Sequence, residues 1–228
     1  MEEGAEDEAA GRRSKRRRQM KIPSTIETAN KLTPSDFIKK HLSSQCLKFS
    51  HPTKTNAYSI GLYNPTTLPP RTFDACFELL SFTSSADYAQ SSIGWSPSKK
   101  RREMRLPDMR YLVAEPEGAE GSGEIVAFLA FMLTYEDGKE VVYCYEIHLK
   151  NEVRGCGLGR RLMQLMEEVG SAVGVGKAML TVFITNQAAA KFYERLGYAV
   201  DEYSPGPITL RNGRVKEPSY VILSKRLP

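Results

Sequence analysis

With 228 residues, 41% of them hydrophobic and 26% charged, the chain can bury a sizeable core and has the composition of an ordinary soluble globular protein. Its longest apolar run, Ile125 to Leu133, is nine residues. A membrane-spanning helix needs about 20, and the N-terminus lacks the apolar core of a signal peptide. The formal charge of +5 is not drawn into a basic stripe with interleaved aromatics, so neither a membrane nor a specific nucleic acid is expected as a partner.

The first 23 residues divide into an acidic block, 2–8, and the basic run "RRSKRRR", Arg12 to Arg18. Such blocks repel themselves, hold little apolar surface and are expected to stay disordered. The run reads as a solubilising tail or as a nuclear import signal, with import preferred, which implies a protein of nucleus and cytoplasm. Residues 24–228 show no internal repeat and no long linker, and are expected to form one domain.

Helix signals open that domain. "STIETANKLTPSDFIKKHL" begins on Ser24 as a cap and breaks at Pro34 into two short helices. "PPRTFDACFELLSFTSSADYAQ" starts on prolines, which suit a first turn, and sets Phe73, Phe77, Leu80 and Ser84 along one face. The charged segment "SIGWSPSKKRREM" follows, around the only tryptophan, Trp95.

Strand-like runs come next: "YLVAE", "EIVAFLAFMLTYE", "EVVYCYEIHL", "AMLTVF", "YAVDEY" and "SYVILSKRL". Asp137-Gly138 joins the second to the third as a hairpin. Between the third and fourth lies a helix with Leu158, Leu162, Leu165, Met166 and Val169 on one face. A second helix, "NQAAAKFYERLG", separates the fourth from the fifth and ends at Gly197. This layout predicts an α/β fold with a central mixed, mostly antiparallel, twisted sheet flanked by helices. Cys46, Cys76, Cys144 and Cys156 are scattered without a CxxC, and His41, His51 and His148 form no metal motif, so no metal is expected.

The stretch "EVRGCGLGRRLMQLME" raises the sharpest chemical question. It is no dinucleotide-binding fingerprint, since Arg160 stands where a third glycine belongs, and no GK[ST] follows to make a Walker loop. What remains is Arg154-x-x-Gly157-x-Gly159, a tight turn between a strand and an amphipathic helix. Without Cβ atoms the amides of 155–160 can approach a pyrophosphate, the helix N-terminus adds favourable partial charge, and Arg154, Arg160 and Arg161 supply counter-charge. A turn that merely joins strand to helix is the competing reading.

Arg154-Gly155-Cys156-Gly157-Leu158-Gly159 resembles the acetyl-CoA pyrophosphate loop of the GNAT acetyltransferase superfamily, and "LTVFITNQAAAKFYERLGY" resembles its next motif. "VVYCYEIHLKNEVRGCGLG" and "YAQSSIGWSPSKKRREM" are similar to the NatD-type N-alpha-acetyltransferases within it. The resemblance implies a GNAT-like domain that uses acetyl-CoA and no metal. It implies acetyl transfer to the N-terminal amine of histones H-two-A and H-four, whose tails begin Ser-Gly-Arg-Gly, by a monomer without an auxiliary subunit.

An N-terminal amine is largely protonated at neutral pH and must lose that proton before it attacks a thioester. Glu146, in the strand running into the glycine turn, is the expected base. Tyr143, Tyr145 and His148 alternate around it, and partial burial is expected to raise its pKa toward the working range. The resemblance gives this Glu the essential catalytic role.

Backbone groups of Ile147, His148 and Leu149 are expected to meet the pantetheine arm of the cofactor as an added strand would, and Asn186 to bond that arm or the adenylate half. Tyr193 stands at the superfamily position of the acid that reprotonates the leaving thiolate, or packs as a core aromatic. By position in the NatD pattern, Tyr88, Glu136, Tyr143, Tyr145, Thr181, Tyr203 and Tyr220 are expected to bind the peptide. Glu136, Asp137, Asp201 and Glu202 would form an acidic mouth for a tail whose third residue is Arg. Ile93 and Thr134 depart from the pattern, which has an aromatic and an acid there. The rival readings are a lysine or small-amine acetyltransferase and a non-catalytic acetyl-CoA-binding module that docks on nucleosomes. An intact Glu146 beside an intact glycine turn speaks against the last.

Overall fold

Ser24 caps the first helix, α1 (Thr25–Asn30), through a reciprocal box in which its hydroxyl accepts from the Glu27 N–H and the Glu27 carboxylate accepts from the Ser24 N–H. Pro34 then opens α2 (Pro34–His41), capped by Thr33. The computed structural model describes residues 24–43, 47–53 and 56–228, so the expected tail and Cys46 lie outside the described residues. The long third helix is α3 (Pro70–Gln90), and the charged segment after Trp95 forms a short helix, α4 (Pro97–Glu103), that the sequence reading left unassigned.

Eight strands make the main sheet, in the order β1-β2-β3-β4-β5-β6-β10-β7. They are β1 (Lys48–Ser50), β2 (Ala57–Tyr63), β3 (Arg110–Pro116), β4 (Ala127–Glu136), β5 (Lys139–Leu149), β6 (Lys177–Phe183), β7 (Ala199–Val200) and β10 (Tyr220–Arg226). The six runs read from the sequence are β3 to β7 and β10. β1, β2 and the small separate hairpin of β8 (Ile208–Thr209) and β9 (Val215–Lys216) are additions to that reading.

Every pairing in the main sheet is antiparallel except β5 with β6, which α5 (Leu158–Val173) connects as a crossover. Asp137 and Gly138 both adopt positive φ, 48° and 74°, the geometry of a tight hairpin turn whose twist matches its strands. The last helix is α6 (Gln187–Arg195), followed by β7, which pairs with β10 at the end of the sheet. Among the described residues no helix is long and apolar enough to cross a membrane.

Helices cover both faces of the sheet. On one, Ile26, Ala29 and Phe37 of α1 and α2 join the expected stripe of α5 (Leu158, Leu162, Leu165, Met166, Val169) in one apolar cluster. On the other, Phe73, Phe77 and Leu80 of α3 pack with Met104, Tyr111 and Phe128.

Near the end of α5 the helix lies so close to the sheet that a Cβ on Gly170 would sit 2.6 Å from Leu227 Cδ1 and 2.8 Å from Val142 Cγ1. Overpacking of this kind costs about 1–3 kcal/mol. Gly170→Val is therefore expected to lower the thermal midpoint by several degrees, and Gly176→Ala, where a Cβ meets nothing within 4 Å, to leave it unchanged in the same melting experiment.

Candidate active site

A one-residue slip in the β4–β5 ladder sets the site. Phe131 pairs with Cys144 and Ala130 with Glu146, so Tyr145 is an extra residue on β5. Regular alternation would point Glu146 away from Tyr143 and Tyr145. The bulge returns it to their side, and Tyr143, Tyr145, Glu146 and His148 all face α3, while Cys144, Ile147 and Leu149 face α5.

A second departure opens space there. The pairing of β5 with β6 stops after Val142–Ala178, Tyr143–Met179 and Cys144–Leu180. Beyond Cys144 the two strands part, and a cavity of about 330 Å³ lies between them, walled by both faces of the sheet.

Glu146 lines this cavity with its side chain 6% exposed. Its Oε1 accepts from the Tyr88 hydroxyl at 2.7 Å and from Lys100 Nζ at 2.9 Å. Its Oε2 lies 2.8 Å from His148 Nε2, and His148 Nδ1 lies 2.6 Å from the Thr83 hydroxyl. An ionised carboxylate only accepts, so His148 presents an Nε2–H to it.

Burial pushes the Glu146 carboxyl up, as the sequence reading expects. The hydrogen bond from His148, the Lys100 ammonium and the hydrogen bond from Tyr88 outweigh burial and hold it at about 2. The expected upward shift is thus reversed. Lys100 itself is raised, because the charges and hydrogen bonds of Glu146 and Glu103 outweigh its own burial.

Most of the residues singled out by sequence meet on the cavity wall: Tyr88, Glu136, Tyr143, Tyr145, Glu146, Ile147, His148, Thr181, Asn186 and Tyr193. Tyr143 and Thr181 share a hydroxyl–hydroxyl bond of 2.6 Å across the parting strands. Burial, ahead of the Asp137 charge, raises the Glu136 carboxyl. Asn186 caps α6, its Oδ1 accepting from the Ala189 N–H. Tyr193 is buried, and burial raises its hydroxyl well above the ordinary value, so it stays protonated.

Three groups expected at the peptide stand apart from this wall or in ion pairs. Tyr203 is not part of this wall; its ring lies 5.5 Å from Lys139 Nζ and 5.9 Å from Lys177 Nζ. Tyr220 is off the wall too, one strand over, as the β10 partner of the wall residue Phe183. Of the expected acidic mouth, Asp201 is buried against Lys177 at 2.7 Å and Glu202 pairs with Lys139 at 3.1 Å. Glu136 and the unexpected Glu103 remain on the wall.

Lys100, Glu103 and Thr83 escaped the sequence reading. "SPSKKRREM" looks like a solvated charge run; Pro97 at a first turn and the i,i+3 pair Lys100–Glu103 were the signals of a helix there.

The glycine turn follows β5 through a single 3₁₀ turn, Asn151–Val153. Gly155 and Gly157 have φ of 76° and 98°, a backbone that side-chain-bearing residues rarely adopt. A Cβ on Gly155 would meet nothing within 4 Å, and one on Gly157 only the Phe49 ring at 3.8 Å, so the outer face of the turn is open. Gly157 stands at the N-cap of α5 with no side-chain cap, which leaves first-turn amides without an internal partner. Arg154 Nε donates to the Leu149 carbonyl at 3.2 Å and steadies the turn. Open amides at a helix N-terminus, next to a strand edge that lacks a partner beyond Cys144 among the described residues, fit a ligand with a pyrophosphate and an amide-bearing arm.

A family model described as acetyltransferase (GNAT) family matches residues 74–198. N-alpha-acetyltransferase 40 of Saccharomyces cerevisiae is 31% identical over 162 residues, 62% of this chain, and the chain spans 57% of that relative's length. Arabidopsis thaliana NAA60, solved in complex with a bisubstrate analogue, aligns with a TM-score of 0.52 at 13% identity, over 74% of this chain and 98% of its own. The PaiA N-acetyltransferase of Thermoplasma acidophilum, solved with coenzyme A, aligns with a TM-score of 0.51 at 17% identity, over 74% and 99%. At these identities the two structures speak for the fold. The family match covers more than half of the chain and takes in the bulged strand, the glycine turn and both helices behind it: this chain belongs to the GNAT acetyltransferase family.

Proposed function

We propose that the protein transfers the acetyl group of acetyl-CoA to the free α-amine of protein N-termini, and that its substrates are histones H-two-A and H-four, whose tails begin Ser-Gly-Arg-Gly. The observation that carries this reading is an ionised, buried Glu146 on the wall of a cavity beside an uncapped glycine turn. The likeness to N-alpha-acetyltransferase 40 supports an N-terminus as the acceptor. Glu136 on the wall suits a tail with Arg at its third position. In this reading the basic run 12–18 serves nuclear import, and the protein works in nucleus and cytoplasm as a monomer.

Acetyl-CoA supplies the acetyl group as an activated thioester. The amides of 155–160, with Arg154 and Arg160 beside them, would hold its pyrophosphate, and the edge of 147–149 would pair with its pantetheine arm. Asn186, on the opposite wall, would add a bond through its side-chain N–H groups. Tyr193, protonated and buried, stands ready to return a proton to the leaving thiolate.

Glu146 meets the amine as a fixed negative charge. With its carboxyl held well below the usual carboxylate range and the amine near about 8, outright transfer of the proton to the carboxylate would run uphill. The carboxylate therefore draws on the N–H through a hydrogen bond, directly or by way of one water, while the proton itself leaves to solvent.

Incubation with acetyl-CoA, a Ser-Gly-Arg-Gly peptide carrying an internal lysine, and its N-terminally blocked twin tests the assignment. Mass spectrometry should place the acetyl group on the α-amine of the first peptide and leave the twin untouched. Modification of the lysine alone would overturn the reading.

Gly157→Val should weaken acetyl-CoA binding at least tenfold by calorimetry, since a side chain at φ 98° both strains the turn and blocks phosphate from its amides. A folded variant with unchanged affinity would move the pyrophosphate elsewhere.

Glu146→Gln should lower kcat by about two orders of magnitude while the acidic limb of the rate profile stays at the amine's own pKa of about 8. The same variant isolates a stability effect. Glu146 is lowered from 4.5 to about 2, so its contribution is complete above pH 4.5 and is lost as pH falls toward 2, about 3 kcal/mol in all. Denaturant melts across that window should show wild type losing more stability than Glu146→Gln, with no such difference above pH 5.

A further inference from the structure

We propose that Lys100 is a positioning residue for the transfer: it fixes Glu146 in one orientation and in its ionised form, and leaves one oxygen, Oε2, to meet the amine. The inference rests on the role given above to Glu146. α4 has seven residues and buries one of them, Lys100. A helix so short has little stability of its own.

α3 holds it in place. The Arg101 guanidinium lies 3.9 Å over the Phe77 ring and bonds Asp74 at 2.6 Å, and that of Arg105 lies 4.0 Å over Phe73. The helix that these contacts dock carries a single ammonium inward.

That ammonium, on a side chain 8% exposed, has three N–H donors and three acceptors: the Tyr88 hydroxyl at 2.8 Å, Glu103 at 2.7 Å and Glu146 at 2.9 Å. Tyr88 receives one of them and turns its own proton to Glu146 Oε1. Oε1 thus takes two donors and is saturated. Oε2 takes only the His148 donor, so the last open acceptor position of the carboxylate is on Oε2.

The remaining groups around Glu146 cannot replace Lys100. Glu103 is an anion that shares the same ammonium, and burial keeps the Cys144 thiol and the Tyr193 and Tyr111 hydroxyls neutral. His148 reaches only Oε2.

Two readouts test this. One is the titration of the Glu146 side-chain carboxyl by carbon-13 NMR, its signal assigned by loss in Glu146→Gln; it is independent of which amine is acetylated. The other is kcat and KM on whichever amine the wild type does acetylate. Lys100→Met should raise the carboxyl midpoint by more than about one unit and lower kcat about 100-fold, with KM for acetyl-CoA unchanged.

A folded Lys100→Met with wild-type kcat, or with an unmoved midpoint, would overturn the proposal. Because a broken buried ion pair can unfold a protein, Lys100→Arg is measured alongside. It keeps the charge and changes where it sits, so the midpoint should stay low while kcat falls; wild-type kcat in Lys100→Arg would equally overturn the positioning role. Should wild type modify only lysine, the N-terminal reading fails while the carboxyl titration still tests Lys100.

Discussion

A charged carboxylate in the middle of a sheet, almost out of reach of water, is unfavourable by several kcal/mol unless partners surround it. Glu146 makes that demand, and three separate elements are arranged to meet it. α3 brings the Tyr88 hydroxyl, α4 brings the Lys100 ammonium, and β5 itself returns His148 to the same side two residues on. Each partner is in turn held by something else: Lys100 by Glu103, His148 by Thr83, α4 by arginines stacked on α3. The packing of α3 and α4 on the sheet and the charge state of the site are therefore one problem with one solution.

Two irregularities of the sheet make the solution possible. The bulge at Tyr145 decides which way Glu146 points, and the early end of the β5–β6 ladder decides what it points into. A regular sheet would send Glu146 toward the core under α5 and would close the cavity with hydrogen bonds. With both irregularities present, the same strand offers the Glu146 carboxylate on one face and, beyond Cys144, an unpaired backbone edge among the described residues, and then runs into the glycine turn. In the function proposed above, chemistry, cofactor arm and phosphate cradle would follow one another along a single stretch of chain.

Local signals in the sequence were read well because their causes are local. The Ser24–Glu27 box, Pro34, the Asp137-Gly138 turn and the α5 stripe each depend on residues within one or two turns of chain. β2 was missed although Tyr58, Ile60 and Leu62 alternate inward, because Gly61 interrupts it; the Tyr63 ring lies against that glycine, 2.5 Å from where a Cβ would be. A bulge adds one residue without changing composition, so the side that Glu146 faces could not be read from strand period alone. Lys100 was hidden by its neighbours, since one buried cation in a run of four basic residues looks like the other three. Asp201 was assigned to an open mouth because its partner, Lys177, lies 24 positions earlier and meets it only in the folded chain.

The three pairs that join β5 to β6 also divide the molecule mechanically. β6 is bound to β10 by seven pairs, and β5 to β4 by ten, so the line between β5 and β6 is thinner than the seam on either side of it. On one side of it stand β1 to β5 with α3 and α4; on the other stand β6, β10, β7 and α6. Among the ties across the seam are α5, the Tyr143–Thr181 bond and the surface bonds Asp87–Thr185 and Ser92–Ser219. A ligand lying in the cavity would touch residues of both strands and supply there the cross-links that the strands themselves forgo.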